Sequence, residues 1–203
     1  MTRLSRWSAH AALAGLVVLL AACFGGGTPV DNFYRLTVPA PPALAVPPLD
    51  GAVEVRRPVA LGMTGERALL VSDRVAPEQV KRRPYDFWTE PPPVMVQDAL
   101  VTFLRRAKAA PLVVTSEFRV PAEYRIEGRL RRFEQIAGAA PTVVVEMDLG
   151  LVRTGHNDLL HLATYQAEEP VAGTAAADAV PAYQAALTRV FGLFLTDLEA
   201  RRP

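Results

Sequence analysis

Two segments of the chain repeat apolar residues every three or four positions, the spacing that places them on one face of a helix. The first begins at Val94 and ends near Pro111, because proline cannot continue a helix. Its apolar positions are Val96, Leu100, Phe103, Leu104 and Ala107. The second runs roughly from Thr174 to Arg201, with apolar positions Leu187, Val190, Phe191, Phe194, Leu195 and Leu198. Both stripes predict amphipathic helices that bury one face.

Other segments alternate apolar and polar residues, the period of a half-buried strand. Three successive hairpin-like strands are predicted between the helices, which indicates antiparallel pairing; they lie in Tyr124–Leu130, Thr142–Leu151 and Leu159–Ala167. Shorter strands are predicted at Asn32–Val38, Ala52–Arg57, Arg67–Ser72 and Leu112–Thr115, and an irregular segment at Val75–Glu90. The prediction is an α+β fold: a mixed, mainly antiparallel sheet with two amphipathic helices packed on one face.

The N-terminal residues follow neither period. Arg3 and Arg6 precede an uncharged apolar run that ends in Leu20-Ala21-Ala22-Cys23. The run is too short to span a bilayer and is typical of a secretory signal peptide. Its last four residues match the bacterial lipobox, in which the cysteine thiol takes up a diacylglyceryl group. The alternative is an ordinary signal peptide with a chance cysteine, but Cys23 is the only cysteine in 203 residues.

The predicted organisation has three parts: a lipoprotein signal peptide at 1–22, a lipidated flexible tether at 23–31 and a single periplasmic α+β domain at 32–203. The full chain has a net charge of +1, and the signal peptide removes two arginines, so the mature chain is close to neutral. Nucleic acid is therefore not predicted as a partner, because nucleic-acid binding needs a basic excess.

Candidate catalytic and metal-ligating residues are sparse. No Gly-x-Ser-x-Gly motif is present, and Ser72 and Ser116 are the only serines of the mature chain. His156, Asp158 and His161 could approach one another around a turn as metal ligands, but a polar hairpin explains them more simply. The sequence therefore predicts a protein that is not an enzyme and carries no cofactor besides the diacylglyceryl and N-acyl lipid on Cys23.

The most distinctive segment of the mature chain is aromatic. Tyr85, Phe87 and Trp88 lead through Pro91-Pro92-Pro93 into the first predicted helix. Two interpretations remain open: the aromatic residues cap the core at the start of the helix, or they form a surface that contacts a partner. The preceding Lys81-Arg82-Arg83 could contact anionic lipid headgroups or an acidic partner, or be a solvated loop.

In order along the chain, four features resemble the ABC-type transport auxiliary lipoproteins, the PqiC-like family. The first is the lipobox at Cys23, and the second is Phe33-Tyr34-Arg35-Leu36 followed by a proline-rich stretch. The third is Val53-Glu54-Val55 with Arg57-Pro58, followed by Arg67–Ser72. The fourth is Tyr85-x-x-Trp88-x-x-Pro91-Pro92, which precedes a predicted helix with Leu100 and Leu104. The resemblance covers roughly the whole mature chain.

The resemblance implies a membrane-anchored, periplasm-facing accessory subunit of an ABC system with an MCE-type lipid-binding protein. Such a subunit would support phospholipid transport between membranes through contacts with the MCE protein, and could form a homo-oligomer. Phe24 follows the anchor where many inner-membrane lipoproteins have aspartate, which favours the outer membrane. Two other functions stay open: an envelope lipoprotein that itself binds lipid or a hydrophobic solute, and a structural lipoprotein of the outer membrane.

We expect Cys23→Ser to abolish acylation and to release the protein from the membrane fraction. The reason is that each buried methylene of an acyl chain contributes about 0.8 kcal/mol to membrane binding. Mass spectrometry of the purified protein and fractionation of cells measure both effects. A variant that still carries acyl chains would contradict the assignment of Cys23.

Overall fold

The structure of the protein is a computed structural model, and it describes residues 29–201. The predicted signal peptide, Cys23 and most of the predicted tether lie outside the described residues. From Asp31 onward the described residues pack as one unit. No helix between residues 29 and 201 has the length and apolar character needed to cross a membrane.

Nine strands and two α-helices make up the described part of the chain. The strands are β1 (Asn32–Tyr34), β2 (Ala52–Val55), β3 (Val59–Ala60), β4 (Ala68–Asp73), β5 (Lys81–Trp88), β6 (Leu112–Thr115), β7 (Tyr124–Ala137), β8 (Thr142–Arg153) and β9 (Asp158–Pro170). The helices are α1 (Pro92–Ala107) and α2 (Ala176–Ala200). Short 3-10 helices occupy Gly62–Gly65 and Ser116–Phe118.

Strand β7 lies at the centre of the sheet. Along one edge it pairs antiparallel with β8 from Tyr124 to Ile136, and β9 pairs antiparallel with the far edge of β8. Along its other edge β7 pairs in parallel with three short strands in succession: β2, β3 and β4. Two branches extend from these strands. In the first, β6 pairs in parallel with β2. In the second, β5 pairs antiparallel with β4, and β1 pairs in parallel with the other edge of β5.

This arrangement confirms the predicted α+β fold with a mixed sheet. The long pairings of β7, β8 and β9 are antiparallel and contain most of the paired residues. The short strands differ: in the described residues, five of the eight strand pairings are parallel. Parallel neighbours need long crossover connections, and here these connections run through α1 and through loops.

Both helices pack on the same face of the sheet, as predicted. Inward residues of β8 alternate along the strand and are almost fully buried; they are Val143, Val145, Met147, Leu149 and Leu151. Every residue of the two predicted helical stripes is buried as well. The helices meet where the rings of Phe103 and Phe191 lie 5.6 Å apart, edge to face. One apolar core therefore joins both helices to the sheet.

Local sequence sets the limits of α1. Pro92 and Pro93 occupy its first turn, where a missing N–H has no helical partner to lose. At the other end Lys108 adopts a left-handed φ of 55° and ends the helix, with Arg105 and Arg106 in the last turn facing the negative end of the helix dipole. The buried Gln97 donates from Nε2 to the carbonyl oxygen of Val55 at 2.9 Å and so joins α1 to β2.

The prediction for 75–90 was wrong in one respect, because β5 occupies Lys81–Trp88. The sequence of β5 lacks the apolar–polar alternation of a regular strand. In the structure its register with β4 shifts, and the residues between Arg82 and Phe87 form a bulge. β7 also extends beyond the predicted end at Leu130. A second shift at Arg131 changes which residues face inward, so that the next core residue is Phe133.

We expect Phe191→Ala to lower the free energy of unfolding by about 3–5 kcal/mol, because the ring is fully buried between the helices. Leu193→Ala on the same helix is the matched control, since Leu193 is 46% exposed and should change stability by less than about 0.5 kcal/mol. Urea denaturation measures both. Equal effects of the two variants would show that α2 does not pack as described.

Candidate interaction surfaces

Trp88, one of the three predicted contact residues, lies in the core. Its side chain is 1% exposed and packs against the rings of Phe133 at 5.4 Å and Tyr183 at 5.0 Å. The sequence left open whether Trp88 caps the core or contacts a partner, and its burial favours a role in the core. A partner cannot reach Trp88 without opening the fold.

Phe87 and Tyr85 lie at the surface instead. Phe87 is half-buried beneath Phe33 of β1, with the two rings stacked at 5.8 Å. The Arg67 guanidinium covers the Phe33 ring at 5.4 Å from its centroid. Phe33 remains 55% exposed and Tyr85 47% exposed. We call the exposed residues Phe33 and Tyr85, with Arg67 beside Phe33, the aromatic edge of the sheet.

Tyr85 adopts a left-handed backbone conformation with φ of 62°. For a residue with a side chain this costs roughly 1–2 kcal/mol. Inward contacts on both sides hold the bulge in place. Arg83 donates to Gln135 Oε1 at 2.9 Å and to the Thr174 carbonyl oxygen at 3.1 Å, while Asp86 accepts from the Tyr34 hydroxyl at 2.9 Å. Because these neighbours are fixed inward, Tyr85 is turned out to solvent.

A second surface lies on the sheet face opposite the helices. There a groove of about 800 Å³ runs over β3, β7, β8 and the start of β9. Its exposed apolar residues are Val59, Leu159 and Leu162, each about 60% exposed. A Cβ on Gly150 would lie 3.4 Å from Leu162 and 3.7 Å from Leu159, so glycine lets both leucines lie close over the strand.

Arginine side chains surround these apolar residues. We call the site the arginine-lined groove; its lining residues are Arg56, Arg57, Val59, Glu127, Gly128, Arg129, Arg131, Asp148, Gly150, Val152, Leu159 and Leu162. Four cations and two carboxylates leave the lining with a net charge of +2. Carboxylates outside the lining offset part of this charge, because Glu54 pairs with Arg56 and Glu117 with Arg57. Arg131 pairs with Asp148, so Arg129 is the lining cation that favours an occupant with carboxylates or other anionic groups.

The charges of the groove are held at fixed positions. Arg131 Nε donates to Asp148 Oδ1 at 2.8 Å, and the Thr164 hydroxyl donates to the same oxygen at 2.7 Å. The bond from Arg131 holds the pKa of Asp148 below its ordinary value, so Asp148 stays ionised. Arg129 is exposed and forms no ion pair with another described residue. Its guanidinium is therefore available to an incoming anion.

The two histidines of the mature chain have different surroundings. His156 is exposed in the β8–β9 turn, whereas His161 is buried and faces α2. The Tyr165 hydroxyl donates to Asp197 Oδ2 at 2.6 Å, so His161 Nε2, 2.6 Å from that hydroxyl, acts as the donor to it. In the described range 29–201 no group of three or more potential ligands forms a metal site. His161 thus joins β9 to α2.

A model of the ABC-type transport auxiliary lipoprotein component family matches residues 34–191. The chain belongs to this family. The resemblance seen in the sequence is thereby confirmed, and the role as an auxiliary component of ABC-type transport follows from membership. No match was found among curated proteins.

Solved structures share the fold of this family member. Protein XCC0632 from Xanthomonas campestris superposes with a TM-score of 0.72 at 21% identity, over 81% of this chain and 92% of its own. An uncharacterized protein superposes with a TM-score of 0.62 at 10% identity, over 84% of this chain and 97% of its own. At such identities the similarity shows the fold alone.

The structure of this auxiliary lipoprotein brings together residues that the sequence did not join. Of the predicted site residues, Cys23 lies outside the described range and Trp88 is in the core. Tyr85 belongs to the aromatic edge, and Phe87 lies half-buried beneath Phe33. Sequence reasoning missed the arginine-lined groove, because its residues come from distant strands. Leu159 and Leu162 are apolar, but their odd spacing predicts opposite faces of one strand. A register shift between β8 and β9 brings both to the groove face, so no sequence pattern signals the site.

We expect acid to weaken the fold through His161. Burial lowers its pKa, and Arg201 acts in the same direction. The unfolded chain therefore binds a proton first as the pH falls below about 6.5, and stability is lost until the lower folded-state pKa is reached. Above that range the contribution of neutral His161 is complete. Urea denaturation between pH 5 and pH 7.5 should show a steeper loss in the wild type than in His161→Gln. Equal slopes would contradict the role of His161, because the carboxylates are common to both proteins.

Proposed function

We propose that the protein is a periplasm-facing subunit of an MCE-type ABC transport system, anchored in the outer membrane through Cys23. In this proposal it supports phospholipid transport between the membranes by contacts with the MCE protein, and it performs no catalysis. Family membership and the lipobox support the proposal. A homo-oligomeric state belongs to the same proposal and can be measured by light scattering.

The single observation that carries the contact function is the arginine-lined groove. Leu159 and Leu162 expose apolar surface on a sheet face that α1 and α2 leave open, next to the unpaired cation of Arg129. Such a patch with a polar rim is typical of a protein–protein contact. Its charge favours a segment of the MCE protein with apolar side chains between carboxylates. The contact would thus be apolar at the centre and ionic at its border.

We expect the double variant Leu159→Ser/Leu162→Ser to weaken binding to an MCE protein of the same organism by about 30-fold or more in Kd. That is the effect of losing roughly 2 kcal/mol at the centre of an interface. Arg129→Glu should mainly reduce the association rate and its salt dependence, as expected of a border charge. Biolayer interferometry on the two purified proteins measures both effects.

Leu193→Ser is the matched control, because Leu193 is an exposed leucine on α2, outside the groove. Thermal melts of all variants should agree with that of the wild type. Unchanged MCE binding by the double variant would exclude the groove as the docking surface. The alternative function is a lipoprotein that itself binds lipid, and mass spectrometry of lipid extracted from the purified wild type tests it. Non-covalently bound lipid in stoichiometric amount would indicate a protein that carries the lipid itself.

A further inference from the structure

The aromatic edge lies close to the predicted anchor along the chain. Phe33 follows Cys23 by ten residues, and ten residues span at most about 33–36 Å when fully extended. A domain of this size has a radius of gyration of about 16 Å and opposite sides roughly 40 Å apart. With Cys23 held in a bilayer, the side of the domain that carries β1 is therefore kept near the membrane surface. This step depends on the anchor in the proposed function.

The chemistry of the edge suits that location. Phe33 and Tyr85 expose aromatic rings, and rings of this kind favour the headgroup region of a bilayer. Arg35 and Arg67 are exposed and form no ion pair with another residue of the described chain. Long cationic side chains next to apolar rings bind phosphate groups while their methylenes remain in an apolar environment. Exposed acids lie close by as well: Asp31 precedes β1, and Glu90 and Asp98 line a pocket together with Arg35. Arg67, over the Phe33 ring, is thus the cation placed directly at the exposed ring.

We propose that the aromatic edge is a membrane-contact surface, with a phospholipid bilayer as its occupant. Phe33 and Tyr85 insert among the headgroups, and Arg35 and Arg67 lie at the level of the phosphates. The backbone bulge that turns Tyr85 outward then serves membrane contact. In the strand order, β1 and β9 lie at opposite ends of the sheet, so this contact leaves the groove on β7–β9 accessible to a protein.

Unique labels on the acylated protein test the proposal. Cys23 is the only cysteine, and acylation occupies its thiol, so an introduced cysteine is the single reactive thiol. The test variants are Phe33→Cys and Tyr85→Cys, and the controls are Leu162→Cys in the groove and Phe118→Cys, both more than 60% exposed. Each is labelled with the fluorophore NBD and placed in vesicles of phosphatidylethanolamine and phosphatidylglycerol that contain a nitroxide-labelled lipid.

We expect quenching at positions 33 and 85 to exceed that at 162 and 118 at least threefold, with a blue shift of the NBD emission. Tyr85→Cys decides the outcome if Phe33→Cys disturbs the stack on Phe87, because Tyr85 has no ring contact in the described structure. Circular dichroism establishes that each variant is folded. Quenching at 85 that is no greater than at the two controls would overturn the proposal.

The intact mass of each protein separates this proposal from the proposed function. A protein without acyl chains on Cys23 would overturn the anchor and the membrane contact together. An acylated protein with unquenched labels would overturn only the membrane contact, and the edge would then face solvent or protein. Replacing phosphatidylglycerol by phosphatidylcholine should reduce the quenching at 33 and 85 about twofold or more, because the bilayer loses the net negative charge that attracts Arg35 and Arg67.

Discussion

The pairing of β7 is the constraint on which the rest of the structure depends. One edge of this strand is satisfied by a single neighbour, β8, while the other is shared by β2, β3 and β4. Each short strand satisfies only part of the backbone donors and acceptors of β7, so each must end where the next begins. The sheet therefore divides into two branches. The aromatic edge lies at the end of one branch, and the arginine-lined groove lies over β7 and its long neighbours.

The helices and the long hairpins could be predicted because their signals are local. A stripe such as Leu187 to Leu198 repeats over several turns, and almost any apolar core would bury it. The alternation in β8 is equally clear, with Val143 to Leu151 on one face. In these segments the period, the length and the flanking turn residues agree, so tertiary contacts only select which surface covers the apolar face.

The remaining features depend on contacts between distant residues. β5 contains Pro84 and three cations, and its bulge removes the alternation that a strand normally shows. Trp88 is buried because Phe133 and Tyr183 reach it from β7 and α2, which no local pattern could indicate. The groove requires the registers of β7, β8 and β9 to place Arg129 and Leu162 on one surface. Single-sequence periodicity contains no information on these registers.

The parallel pairing of β7 with earlier strands also orders the events of folding. Val53 pairs with Tyr124 and Val71 with Gln135, across long intervening segments that include α1. Contacts of such separation form slowly, whereas the β7–β8–β9 meander can form from neighbouring segments. An N-terminal half that is synthesised first thus has exposed strand edges until residues 124–137 follow. Protection of those edges before the chain is complete is then as much a requirement of this sequence as the stability of the finished core.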